Sequence, residues 1–135
     1  MKYLLLGLTA VGSAMAAWGI AAFSGIGAGT KRKRDFARQI VDDLRPDQPV
    51  HVSDAGAWLV KRDAGIIAFD DRCPHLGCRQ NWNPQTNRFE CPCHGSIFDL
   101  DGNVRQGPAG SPMPRLYLRF TEENRVRLSD KPPAS

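Results

Sequence analysis

Two short stretches of this 135-residue chain hold all four cysteines and two of its three histidines. The first is Cys73–Pro74–His75–Leu76–Gly77–Cys78, and the second is Cys91–Pro92–Cys93–His94–Gly95–Ser96. Each offers thiol and imidazole donors within a tight turn, with a glycine that lets backbone approach a bound group closely. Three chemistries compete for that donor set. A zinc site could take two Cys and two His, but such sites favour Cys–x–x–Cys pairs, which are absent here. A purely structural pair of disulfides would leave both imidazoles without a task. A [2Fe–2S] centre with two thiolates on one iron and two imidazoles on the other uses every donor type present.

Such turns need strands to hold them. The chain is rich in turn formers, with 13 Gly and 10 Pro, and from residue 50 onward it reads as short strands. Val50–Ser53, Trp58–Arg62, Ile66–Asp70, Arg88–Cys91, Ser96–Asp99, Leu116–Thr121 and Arg125–Leu128 have the required residue types. Asp54–Gly56, Asp63–Gly65, Asp101–Asn103 and Glu122–Asn124 supply turns, and Gly107–Pro114 a Gly/Pro-rich loop. The expected fold is all-β: an antiparallel sandwich or barrel over residues 48–130, with a tail at 131–135. A core this small usually needs a covalent staple, and the cysteines stand where one would sit.

Ahead of the strands, Tyr3 to Ala28 carry no charge and include Leu4, Leu5, Leu6, Leu8, Trp18, Ile20 and Phe23. That length suits one membrane-spanning helix, so residues 1–29 are expected to be an anchor. A cleaved signal peptide would use Ser13–Ala14–Met15–Ala16, but the apolar stretch runs well past it. Residues 30–47 read as a basic juxtamembrane segment, with a short amphipathic helix from Asp35 to Leu44 carrying Phe36, Ile40, Val41 and Leu44 on one face. Gly25–Gly29 is a candidate hinge, and the basic run would sit against anionic lipid headgroups. The net charge of +4 is matched in number by Lys31, Arg32, Lys33 and Arg34 alone, so it gives nucleic-acid binding no support.

The two Cys/His stretches, with Gly107–Pro108–Ala109 beyond them, resemble the Rieske iron–sulfur family over roughly residues 57–128. The likeness is greatest to the Rieske subunits of bacterial and photosynthetic cytochrome bc-type complexes that oxidise quinols, and Trp82–Asn83 and Phe89–Glu90 share in it. It implies that Cys73 and Cys91 ligate one iron, that His75 and His94 ligate the other, and that Cys78 and Cys93 form a disulfide. It also implies that Ser96 hydrogen-bonds a cluster sulfur and raises the potential. Rieske-type ferredoxins and oxygenase domains generally lack the second cysteine pair, so Cys78 and Cys93 favour the membrane-complex branch.

The activity implied is one-electron transfer from quinol to a c-type cytochrome, not turnover by this chain alone. An exposed ring nitrogen of His75 or His94 would accept a hydrogen bond, then a proton, from the quinol hydroxyl. A cytochrome b is the implied membrane partner, because one helix cannot build a quinone site. A second reading, the small Rieske subunit of a molybdenum oxidase such as arsenite oxidase, draws on Pro74 and Ile97–Phe98. The family likeness puts the cluster domain on the periplasmic face; the basic run after the anchor pulls toward the cytoplasmic one. Where high-potential members carry Tyr two residues after the Ser, this chain has Phe98. A lower potential, matched to a quinol such as menaquinol, is therefore expected.

Overall fold

The computed structural model describes residues 34–132. The expected anchor and the last three residues lie outside them. Among the described residues, no helix is long and apolar enough to cross a membrane.

The chain runs β1 (Asp35–Ala37), α1 (Gln39–Asp42), β2 (Val50–Val52), β3 (Ala57–Arg62), β4 (Gly65–Asp70), β5 (Asn81–Asn83), β6 (Arg88–Glu90), β7 (Ile97–Phe98), β8 (Val104–Gln106), β9 (Arg115–Phe120) and β10 (Arg125–Ser129). A six-stranded sheet has the order β1-β10-β9-β4-β3-β2, and a four-stranded sheet has the order β5-β6-β7-β8. Every pairing within them is antiparallel. The all-β expectation therefore holds.

Strand β3 shows how sequence sets the layers. Ala57, Trp58, Leu59 and Val60 are all buried, and successive side chains point to opposite faces of a strand. Ala57 and Leu59 join a first core with Val52, Ala68, Leu116, Val126 and Leu128. Trp58 and Val60 join a second with Phe69, Phe89, Phe98 and Met113. Neighbouring β4 repeats the split, with Ile66 and Ala68 on one side and Ile67 and Phe69 on the other. A strand apolar on both faces is what a sheet covered on both faces requires.

The second core carries the site. Residues 71–114 leave the large sheet after β4 and return at β9, building the small sheet in between. The neck is closed by the pairs Ala68↔Leu116 and Phe69↔Arg115, and by Asp70 N donating to Pro114 O at 2.9 Å. Gly102 packs its bare Cα against Phe69; an added Cβ would come within 2.5 Å of that ring. Its φ of +80° also lies where L side chains are strained.

The helix expected over Asp35–Leu44 is corrected to a strand followed by a single turn. Asp35, Phe36 and Ala37 pair with Arg127, Val126 and Arg125 of β10. Helix α1 has no side-chain cap on its first turn and stops after four residues. Phe36, Val41 and Leu44 are buried in the first core, so the packed domain begins well before the expected residue 48. Strands β5 and β8, three residues each, were not expected, and β7 is shorter than Ser96–Asp99.

Candidate metal centre

Two loops of the same build meet at one end of the second core. In the first, between β4 and β5, Cys73 N donates to Cys78 O at 2.7 Å and Gly77 N to Cys73 O at 2.8 Å. In the second, between β6 and β7, Cys91 N donates to Ser96 O at 2.8 Å and Gly95 N to Cys91 O at 3.0 Å. Each loop thus starts from a buried cysteine and turns through a glycine of positive φ, Gly77 at 77° and Gly95 at 69°.

A disulfide joins Cys78 to Cys93, with Cα atoms 6.5 Å apart. Cys73 and Cys91 remain free thiols, 2% and 3% exposed. The rings of His75 and His94 stand edge to face with centroids 4.8 Å apart, His75 half-buried and His94 exposed. The Sγ atoms of Cys78, Cys91 and Cys93 lie within 4.8 Å of one another. Two of those sulfurs are spent in the disulfide and have no thiolate to offer a metal. Two thiols and two imidazoles are left as donors.

These donors fit an iron–sulfur cluster on three observations. Burial pushes the Cys73 thiol up, and its Cys91 neighbour adds to that despite lowering contacts from the His75 backbone and the Ser96 hydroxyl. A metal cation held between two such thiols would favour their ionised form. His75 Nδ1 is buried without a hydrogen-bond partner, the state of a ligand atom aimed inward. The surrounding second core of Trp58, Phe69, Phe89 and Phe98 keeps water from the sulfur side.

A third loop braces the second. Ser96, wholly buried, accepts a hydrogen bond from Ala109 N at 3.2 Å. Gly107, at φ +94°, lies so close that an added Cβ would meet Ser96 Cα at 2.5 Å. Beyond Phe98, the Asp99 carboxylate accepts from the backbone N–H groups of Asp101 and Asn103 and from Arg105. The two Cys/His stretches singled out from sequence are therefore brought together, with the Gly107–Ala109 loop against the second of them. Asp71 and His51 beneath the first loop were missed. A lone histidine in a strand and an acid at a strand end carry no sequence signal of their own.

The family model of the Rieske [2Fe-2S] domain matches residues 37–117. Cytochrome b6-f complex iron-sulfur subunit 2 of Trichormus variabilis is 42% identical over 69 residues, covering 49% of this chain and 39% of that protein. The chloroplastic cytochrome b6-f complex iron-sulfur subunit of Bigelowiella natans is 39% identical over 100 residues, covering 73% and 36%. The matched stretch thus spans well under half the length of both relatives. A solved chain of a hyperthermophilic respiratory Complex III aligns at TM-score 0.52 and 23% identity over 90% of this chain and 97% of that one, a likeness of fold. Two braced Cys/His loops on an all-β frame, matched by that family model, place this chain in the Rieske [2Fe-2S] domain family, whose cluster is its cofactor.

Proposed function

We propose that the protein is the membrane-anchored Rieske electron-transfer subunit of a cytochrome bc-type quinol-oxidising complex. The observation that carries this reading is the Cys78–Cys93 bond, which ties together the two loops presenting His75 and His94. The names of the relatives, iron-sulfur subunits of cytochrome b6-f complexes, support it. Residues 1–29 are the single-pass anchor, the segment up to residue 33 is the tether, and the cluster domain faces the periplasm.

Cys73 and Cys91 would hold one iron, and His75 and His94 the other. When bound, the cluster supplies a one-electron acceptor whose imidazole ligands raise its potential above that of all-thiolate centres. The chain's own residues do the rest. His75 turns Nδ1 inward, which leaves Nε2 as the nitrogen for an outside partner. The exposed edge of His94 offers a second such position. A quinol hydroxyl hydrogen-bonds to one of these nitrogens and leaves its proton there, while the disulfide holds the two rings in register. The partners this reading implies are a c-type cytochrome that would accept the cluster's electron and a cytochrome b that would supply the rest of the quinol site. The Ser96 hydroxyl is held by Ala109 and lowers the Cys73 thiol against the rise that burial causes.

The test is to extract the intact assembly in mild detergent through this chain and identify its haems. A di-haem cytochrome b co-purifying with the chain is the expected result. A pterin-bearing large subunit without haem b would overturn it in favour of the molybdenum-oxidase reading. Protease added to intact spheroplasts should cut the cluster domain; protection until the membrane is broken would place it on the cytoplasmic side.

A further inference from the structure

The first ligand loop rests on a carboxylate that electron transfer itself does not use. Asp71 is fully buried and lies two residues before Cys73. Its backbone N–H donates to Gly56 O, and its carbonyl accepts from Gln80 N, both at 3.0 Å. Its main chain therefore joins both legs of the loop to the β2–β3 turn. Its side-chain Oδ2 lies 3.1 Å from His51 Nε2 and 3.5 Å from Arg79 Nε. With its proton on Nε2, the His51 ring donates to this carboxylate oxygen.

His51 belongs to β2, at the edge of the large sheet and outside the insertion. Its ring stacks on Trp58 with centroids 4.6 Å apart and planes at 26°. Trp58 meets Phe89 edge-on at 5.4 Å and shares the second core with Cys73 and Cys91. A buried carboxylate is costly unless it is hydrogen-bonded and charge-compensated. Arg79 compensates from the loop's own second leg with a side chain 53% exposed, whereas His51 is 29% exposed and fixed on the sheet. The His51 contact ties the loop's charge to the frame.

We propose that His51 is a positioning residue for the metal centre: through Asp71 it fixes the loop that delivers Cys73 and His75, and so sets the reduction potential. This rests on the ligand assignment above. A carboxylate near the centre opposes the arrival of an electron, and a donor that draws its charge away weakens that opposition. Removing the donor should therefore make reduction harder.

The test is a redox titration of the full-length, cluster-loaded protein, followed by the spectrum of its reduced state. His51→Phe keeps the ring stack on Trp58 and removes the donor. It should lower the reduction equilibrium constant at least threefold, about 30 mV at about 59 mV per tenfold for one electron. His51→Gln keeps a side-chain N–H and should stay within twofold of wild type. In an Asp71→Asn background the effect of His51→Phe should vanish, because the charge it screens is gone. A wild-type potential in His51→Phe, whatever its melting temperature, overturns the proposal, as does a shift that persists beside Asp71→Asn. If His51→Phe takes up no iron, His51→Ala is held to the same criteria. A wild-type spectrum without mixed thiolate and imidazole ligation would instead bring down the ligand assignment, and this inference with it.

Discussion

The backbone N–H of Ala109 donates to the Ser96 hydroxyl oxygen at 3.2 Å across a buried contact. That bond occupies an acceptor position on Ser96 and leaves its own proton for the Cys73 sulfur, where the hydroxyl opposes the upward push of burial. One side chain thus locks the third loop to the second and acts on Cys73 of the first. Replacing Ser96 by Ala should lose both functions. The potential should fall, and unfolding in denaturant should be easier by about 1–3 kcal/mol, the cost of a buried N–H left unpaired. An unchanged potential would mean that the hydroxyl does not reach the sulfur in the loaded protein.

The disulfide closes a loop between residues 15 apart in sequence. By chain entropy, a cross-link of that span is worth about 3 kcal/mol. The Cys78→Ser/Cys93→Ser pair should therefore unfold at lower denaturant and hold its cluster only weakly. Iodoacetamide treatment of the unreduced wild type, read by mass spectrometry, should label neither Cys78 nor Cys93. Free alkylation of both with the cluster intact would contradict the structure.

The site was more legible than the frame around it. Its donors fall in two six-residue stretches whose spacing is set by local turns, so their types alone suggest the chemistry. Strands β3 and β4 were legible for a related reason: continuous apolar runs such as Ala57–Val60 suit a sheet buried on both faces. Asp35–Leu44 misled because Phe36, Ile40, Val41 and Leu44 satisfy helical spacing, while the strand that claims Phe36 lies at the far end of the chain. Asp35 reaches Arg127 across 92 residues. No window of local sequence contains that partner. His51 and Asp71 were hidden likewise, since their relation arises only when β2 is laid beneath the loop after β4.

Asp99 offers a pH-dependent check. Burial alone would raise its carboxyl, but hydrogen bonds from Asn103, Arg105 and Asp101 outweigh that and hold it below the usual carboxylate range. A group whose pKa is lower folded than unfolded contributes stability above the unfolded value of about 3.9, and loses it as pH falls through the folded one. Asp99→Asn should cost about 1–3 kcal/mol at pH 7, where charge-assisted hydrogen bonds to Arg105 and the turn are lost. The gap to wild type should narrow as the pH falls below 4. A gap that stays constant from pH 7 to the acid limit would show that the turn needs the side chain's shape and not its charge.

Under the proposed function, Phe98 bears on the choice of quinol. It is fully buried in β7, opposite Phe89, in the core that contains Cys73 and Cys91. A Tyr at this position would keep the ring packing and add a hydroxyl able to donate to a ligand sulfur, favouring the state with the extra negative charge. Hydrogen bonds to charged groups are worth about 1.5–3 kcal/mol, but only the part that differs between oxidation states moves the potential. If about 1 kcal/mol is differential, Phe98→Tyr should raise a one-electron couple by about 40 mV, at about 59 mV per tenfold. The visible spectrum should keep its shape, since no ligand changes. A redox titration showing no rise would mean that the ring at residue 98 does not face a ligand sulfur. The argument for a low-potential quinol such as menaquinol would then lose its footing.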